Sequence, residues 1–141
     1  MKYPLKYLIP AYYTLLNGNV TANGSVIPVY DGEVPPTVTG NYILLGDRTS
    51  VQMTGKGTYN NECTVLVDVC IKGQSMGYST SQDAANQVTA LINSAANPSI
   101  GPYYQCVTTS VQSTNTLGGI NKTDNIFRTL IRFRHIIKQI S

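Results

Sequence analysis

The sequence predicts an α+β fold in which a mostly antiparallel β-sheet is packed by an N-terminal helix and one mid-chain helix. Apolar residues recur at helical spacing near the N-terminus and again between residues 79 and 97, and they alternate at period two in the clearest of the other segments. No internal repeat or low-complexity linker divides the 141 residues. A chain of this length can bury roughly two thirds of the surface that its unfolded form exposes, so we expect residues 1–141 to form a single domain.

The first predicted helix lies near the N-terminus. Its apolar residues at helical spacing are Leu5, Leu8, Ile9, Tyr12, Leu15 and Leu16. Pro4 suits a first turn, and Asn17-Gly18 suits the end of a helix. Pro10 lies inside this segment, which predicts either a kink or a helix that begins nearby.

A polar connection over residues 19–25 leads to a short predicted strand from Val26 to Tyr30. Pro28 cannot donate a hydrogen bond to a neighbouring strand, so this strand is expected at a sheet edge or at a bulge. The continuous apolar run from Tyr42 to Leu45, which follows a Pro-Pro turn, is typical of a strand covered on both faces. A weaker strand from Ser50 to Thr54 then leads into a predicted hairpin tip at Gly55-Lys56-Gly57.

The clearest strand pattern lies between residues 62 and 72, where Cys63, three valines and Ile71 alternate with polar residues. The second predicted helix follows, with Ser79, Thr80 and Ser81 as candidate caps and Asn97-Pro98 as its end. Two final strands, Tyr103 to Ser113 and Ile126 to Gln139, are expected to pair antiparallel across a polar loop that contains Gly118-Gly119.

The composition narrows the classes of function. Only 12% of the residues are charged and the formal net charge is +3, which is too small to indicate a nucleic-acid-binding protein by itself. Cys63, Cys70 and Cys106 have no CxxC spacing and form an odd count, so we expect reduced thiols in a core and no zinc site or disulfide framework. No segment approaches the ~20 apolar residues of a membrane span, and no membrane partner is expected.

The N-terminal segment MKYPLKYLIPAYYTLL has some features of a signal sequence. Pro4, Lys6 and Pro10 interrupt its apolar centre, however, so we expect the chain not to be exported. Three Asn-X-Ser/Thr sequons keep a secreted or surface binding module open as the alternative function.

No pattern in the sequence predicts catalysis, a metal or a cofactor. The only histidine, His135, shares a strand face with large apolar residues, which favours a packing role. The glycine loop at residues 54–58 lacks the spacing of a phosphate-binding loop and precedes a strand. Asp31 and Glu33 are the closest acidic pair. They flank Gly32 at a turn, where water would keep both ionised, so a small hydrolase is the least favoured hypothesis.

The last strand carries a basic face. Its members, on the face opposite Phe127, Ile131, Phe133, His135 and Ile137, are Arg128, Arg132, Arg134 and Lys138. This alternation predicts a positive stripe on one side of the sheet. The stripe either pairs with carboxylates elsewhere in the fold, or it faces an acidic partner, a neighbouring subunit or a nucleic-acid backbone.

The stretch PVYDGEVPP followed by NYILLGD resembles the tail-completion, or tail-terminator, family of tailed bacteriophages. Members share a short strand ending in valine-tyrosine-aspartate, a turn containing proline and an apolar strand of the Tyr-Ile-Leu-Gly type. Chain length and the order of predicted elements match as well. The middle segment VLVDVCIKGQSMGYS is aliphatic where family members often carry aromatic residues. This leaves open a long-tail terminator or a neck ring protein of a short-tailed particle.

The resemblance implies a structural virion protein without catalytic residues, assembled in the host cytoplasm as a ring around the DNA passage. A six- or twelve-fold homo-oligomer would then join portal, connector or tail proteins, with non-specific proximity to packaged DNA. The exposed turn and the hairpin tip provide the candidate subunit-interface residues, namely Asp31, Glu33, Pro35, Pro36 and Lys56.

Overall fold

The computed structural model describes residues 3–22, 24–55, 58–73, 77–93, 100–120 and 125–140. In chain order the elements are α1 (Leu5–Leu16), β1 (Thr21–Ala22), β2 (Ser25–Val26), β3 (Val29–Asp31), β4 (Tyr42–Gly55), β5 (Thr58–Gly73), α2 (Gly77–Ile92), β6 (Tyr104–Ile120) and β7 (Asn125–Gln139). The predicted α+β class is confirmed.

The main sheet has five strands in the order β3-β4-β5-β7-β6. Strand β3 is parallel to β4, and the other neighbours are antiparallel. Strands β1 and β2 form a separate two-stranded ribbon. The long antiparallel pairs β4-β5 and β6-β7 make up most of the sheet. Gly55 pairs with Thr58 at one end of the sheet and Ile120 pairs with Asn125 at the other, so the two strand pairs point in opposite directions.

Both helices pack on the same face of the sheet. Tyr12 of α1 is hydrogen-bonded to His135, and Ser81 of α2 to Thr129, two residues that share one face of β7. We call this the helix-covered face. The valines at odd positions of β5 are fully buried beneath the helices. The opposite face, which we call the outer face, has no helix over it within the described part of the chain.

Helix α1 follows the sequence prediction closely. It begins at Leu5 after Pro4, continues through Pro10 and ends at Leu16, with Asn17 as its C-cap. Gly18 then adopts a φ of 81°, a conformation that favours glycine at the end of a helix. Leu8, Tyr12 and Leu16 are fully buried, so the segment that was compared with a signal sequence supplies part of the core.

Two predictions in the first half of the sheet were wrong. The predicted strand from Val26 to Tyr30 is interrupted at Pro28, whose carbonyl accepts a hydrogen bond from the Ile43 amide at 2.9 Å. The segments predicted as two strands, Tyr42 to Leu45 and Ser50 to Thr54, form the single strand β4 with a bulge between Leu45 and Arg48. Only alternate side chains of the first segment are fully buried, because no described element covers the outer face.

Helix α2 begins earlier than predicted. Gly77 is its first residue, so Ser79, Thr80 and Ser81 lie inside the helix and do not cap it. The predicted end at Asn97-Pro98 falls outside the described residues. Gly118-Gly119 was predicted in a loop but belongs to β6, where its two residues pair with Phe127 and Ile126. No helix in the described part of the chain is both long and apolar enough to cross a membrane.

Candidate assembly surfaces

The predicted acidic turn lies at one edge of the sheet. Strand β3 brings Asp31 opposite Leu45, and the amide of Gly32 donates to the Leu45 carbonyl at 3.0 Å. Gly32 has a φ of 78°, which lets the chain turn away from the sheet at this point. Glu33 and the two prolines that follow are exposed. We call residues 31–36 the acidic tip.

Asp31 has a partner that the sequence did not indicate. Its carboxylate forms an ion pair with the guanidinium of Arg48, which also donates to the backbone carbonyls of Gly46 and Leu45 at 3.3 and 3.2 Å. The bulge after Leu45 carries Arg48 to this position. Glu33 has no such partner among the described residues and stays available for an external contact.

A groove of about 640 Å³ separates the acidic tip from α1. Its helical wall is mainly apolar and aromatic, with Ile9, Pro10 and Tyr13, while the Asp31–Arg48 ion pair lies on the other side. Tyr13 is 43% exposed, so an aromatic ring is accessible beside the tip. Exposed tyrosine next to a charged rim is common in protein–protein interfaces.

The basic face of β7 is the outer face of the sheet, but two of its four cations have partners on β5. Arg128 forms an ion pair with the buried carboxylate of Asp68, and the Nε of Arg134 donates to Glu62 at 2.7 Å. Each hydrogen bond raises the pKa of its arginine above the usual range, and that from Arg134 lowers the pKa of Glu62. Half of the predicted stripe is therefore neutralised within the fold.

Arg132 and Lys138 retain the excess positive charge of this face. Arg132 donates to the hydroxyl of Thr64 at 3.4 Å, and Lys138 is exposed. No carboxylate among the described residues lies within ion-pair distance of either side chain. Which cations of β7 meet a carboxylate depends on the register between β5 and β7, and a single sequence does not show that register.

His135 lies in a buried polar cluster, in accord with the packing role. Its Nε2 meets the hydroxyl of Tyr12, and its Nδ1 is 3.0 Å from the hydroxyl of Thr109 and 3.6 Å from the sulfur of Cys106. Burial lowers the pKa of His135 to about 4 and raises that of the Cys106 thiol. A buried, neutral histidine whose ring nitrogens both have partners within the fold is typical of a structural residue.

No group of three or more histidine, cysteine or acidic side chains among the described residues is arranged to hold a metal ion. Lys56, the fifth candidate interface residue, lies outside the described residues. The described residues present three surface features to a partner: the exposed acidic tip, the groove beside Tyr13 and the partly neutralised basic face.

Comparison with known proteins gives a likeness of fold. No protein-family model and no curated protein sequence matches the chain. A solved structure described as the virion of a native gene transfer agent (GTA) particle contains a chain with a similar fold, at a TM-score of 0.71. The likeness covers 98% of this chain and 99% of that chain, at 16% sequence identity. The two chains therefore share a fold from end to end.

Proposed function

We propose that this protein is a structural component of a phage-like virion, a subunit of a ring at the head-to-tail junction or at the end of the tail. The observation that carries the proposal is the end-to-end likeness to a chain of the GTA virion. The neck position comes from the resemblance of the segment around Asp31 to tail-completion proteins.

The accessible surfaces support a role in assembly. Glu33 and the prolines after it are exposed, and the groove between Asp31 and Tyr13 offers about 640 Å³ to a neighbouring chain. Loops and tips held on a rigid sheet are common sites of contact with partners. In the proposed ring, this corner of the subunit contacts an adjacent copy or an adjoining portal, connector or tail protein.

The outer face supports a place near an acidic partner or packaged DNA. Arg132 and Lys138 carry positive charge that the fold does not neutralise, whereas Arg128 and Arg134 are held by carboxylates. These two cations of β7 without an ion pair provide weak, sequence-independent attraction, which is repeated around a ring. Such weak attraction suits a passage through which DNA must move.

The proposal is tested in a strain that produces the particles. Mass spectrometry of purified particles is expected to detect the chain at several copies per particle. Deletion of its coding sequence should give particles that are incomplete at the neck, and expression in trans should restore them. Complete, infectious or gene-transferring particles formed without the chain would contradict the proposed role.

A further inference from the structure

Strand β6 is a long sheet edge without the usual protection against pairing. It pairs with β7 on one side and lies at the end of the strand order. From Tyr104 to Ile120 it contains no charged residue and no proline. Two bulges interrupt its first half, whereas Ser113–Ile120 is regular. Side chains 110–118 are all exposed. Edge strands that stay unpaired usually carry charge, proline or a short length.

A second unprotected edge lies on the opposite side of the same sheet. Strand β3 covers β4 only at Ile43–Leu45, so among the described residues no strand borders the far side of Thr49–Gly55. This segment also lacks charge and proline, and its Val51 and Met53 are 61% and 39% exposed. By contrast, β3 is three residues long and follows Pro28, which limits pairing at that part of the edge.

We infer that Ser113–Gly119 of β6 in one copy pairs with Thr49–Gly55 of β4 in a neighbouring copy. The two segments run in opposite directions within one subunit, so subunits in the same orientation bring them together as an antiparallel pair. Neither segment is charged, and no like charges meet. The contact is head-to-tail, as a closed ring requires. The inference rests on the proposed function and specifies its ring contact.

The faces of the two strands select a register. Val51 and Met53 lie on the outer face of β4, as Asn115 and Leu117 do on β6. Placing Val51 opposite Leu117 matches two exposed apolar side chains, 61% and 43% accessible, and uses only the regular part of β6. The segments lie towards opposite ends of the sheet, so the strands must be inclined to the ring axis, as in other closed sheets.

Cysteine cross-linking tests this register. The three native cysteines are buried, so the double variant Val51→Cys/Leu117→Cys adds the only exposed thiols among the described residues. Under mild oxidation we expect a ladder of covalent multimers on a non-reducing gel. Neither single variant should give it, nor should the matched control Val51→Cys/Gln82→Cys, whose second cysteine lies on α2. A dimer from Leu117→Cys alone would indicate pairing of β6 with β6 and overturn the inference.

Hydrogen exchange provides a test that needs no substitution. In the assembled protein, amides of both Thr49–Gly55 and Ser113–Gly119 should exchange at least about tenfold more slowly than in the dissociated subunit. Rings that form without protection of either segment would overturn the inferred contact and leave the proposed function standing. A protein that forms no ring and no cross-linked ladder would contradict both.

Discussion

The hydroxyl of Tyr12 on α1 is hydrogen-bonded to Nε2 of His135 on β7, and the two rings meet edge-on with centroids 5.5 Å apart. On its other side His135 contacts Thr109 of β6. One buried polar chain thus links the N-terminal helix, the last strand and the edge strand proposed to join the neighbouring copy.

Replacing Tyr12 with phenylalanine should lower the free energy of unfolding by about 1–3 kcal/mol, because the buried Nε2 of His135 loses its partner. The aromatic contact with Phe133 is kept. Urea denaturation measures the change, with the exposed Tyr13→Phe as the matched control, which should shift stability by less than about 0.5 kcal/mol. Equal effects of the two substitutions would contradict the buried hydrogen bond.

Stability should fall on mild acidification because of His135. Its pKa is about 4 in the folded chain against an ordinary value of 6.5. Between these values the unfolded chain binds the proton more strongly than the folded chain does. The free energy of unfolding should therefore decrease by about 3 kcal/mol in total, most of it between pH 6.5 and pH 4. In His135→Gln the free energy of unfolding should fall by about 3 kcal/mol less over the same pH range. If the free energy of unfolding depended on pH in the same way in the original protein and in His135→Gln, this pH dependence would not come from His135.

The ion pair between Arg128 and Asp68 should matter more than the other charges of the outer face. The Asp68 side chain is only 5% accessible, so Arg128→Ala leaves a buried carboxylate uncompensated and should cost about 2–3 kcal/mol of stability. Arg132→Ala serves as the control on the same strand face, with an expected cost below about 1 kcal/mol. Thermal or urea denaturation measures the stability of both variants. A larger loss in Arg132→Ala than in Arg128→Ala would contradict the ion pair between Arg128 and Asp68.

The acidic tip should affect assembly and leave the subunit's stability unchanged. Glu33→Lys reverses an exposed charge without a partner among the described residues, so unfolding should change by less than about 0.5 kcal/mol. Incorporation into particles, measured by quantitative mass spectrometry, should fall. Gln82→Lys on the exposed side of α2 is the matched control. Normal incorporation of Glu33→Lys would remove the tip from the candidate interface.

The periodicity of side chains predicted the elements well where one face is buried. The alternation of apolar and polar side chains around Val67 predicted β5, and the helical spacing of apolar residues such as Leu8 and Tyr12 predicted α1. The predicted ends of strands were wrong where pairing with another strand of the sheet sets them. Gly118-Gly119 looks like a loop, but it continues in β6 because β7 supplies backbone partners, and the bulge after Leu45 joins two segments that looked separate.

The sequence predicted which residues lie on each candidate surface, but it did not predict which of their charges form ion pairs. It put Arg128 and Arg134 on one face, but their carboxylate partners depend on the register between β5 and β7. Likewise the partner of Asp31 is Arg48, brought near by a bulge and a parallel pairing. Long-range pairing of this kind leaves no periodic signal in a single sequence.

Electron microscopy of the purified protein tests the central claim most directly. We expect closed rings of uniform diameter with a central opening, and averaged images should give a fixed number of copies, six or twelve. A monodisperse population of monomers of 15.3 kDa, unchanged at high concentration and in the presence of purified tails or heads, would contradict it.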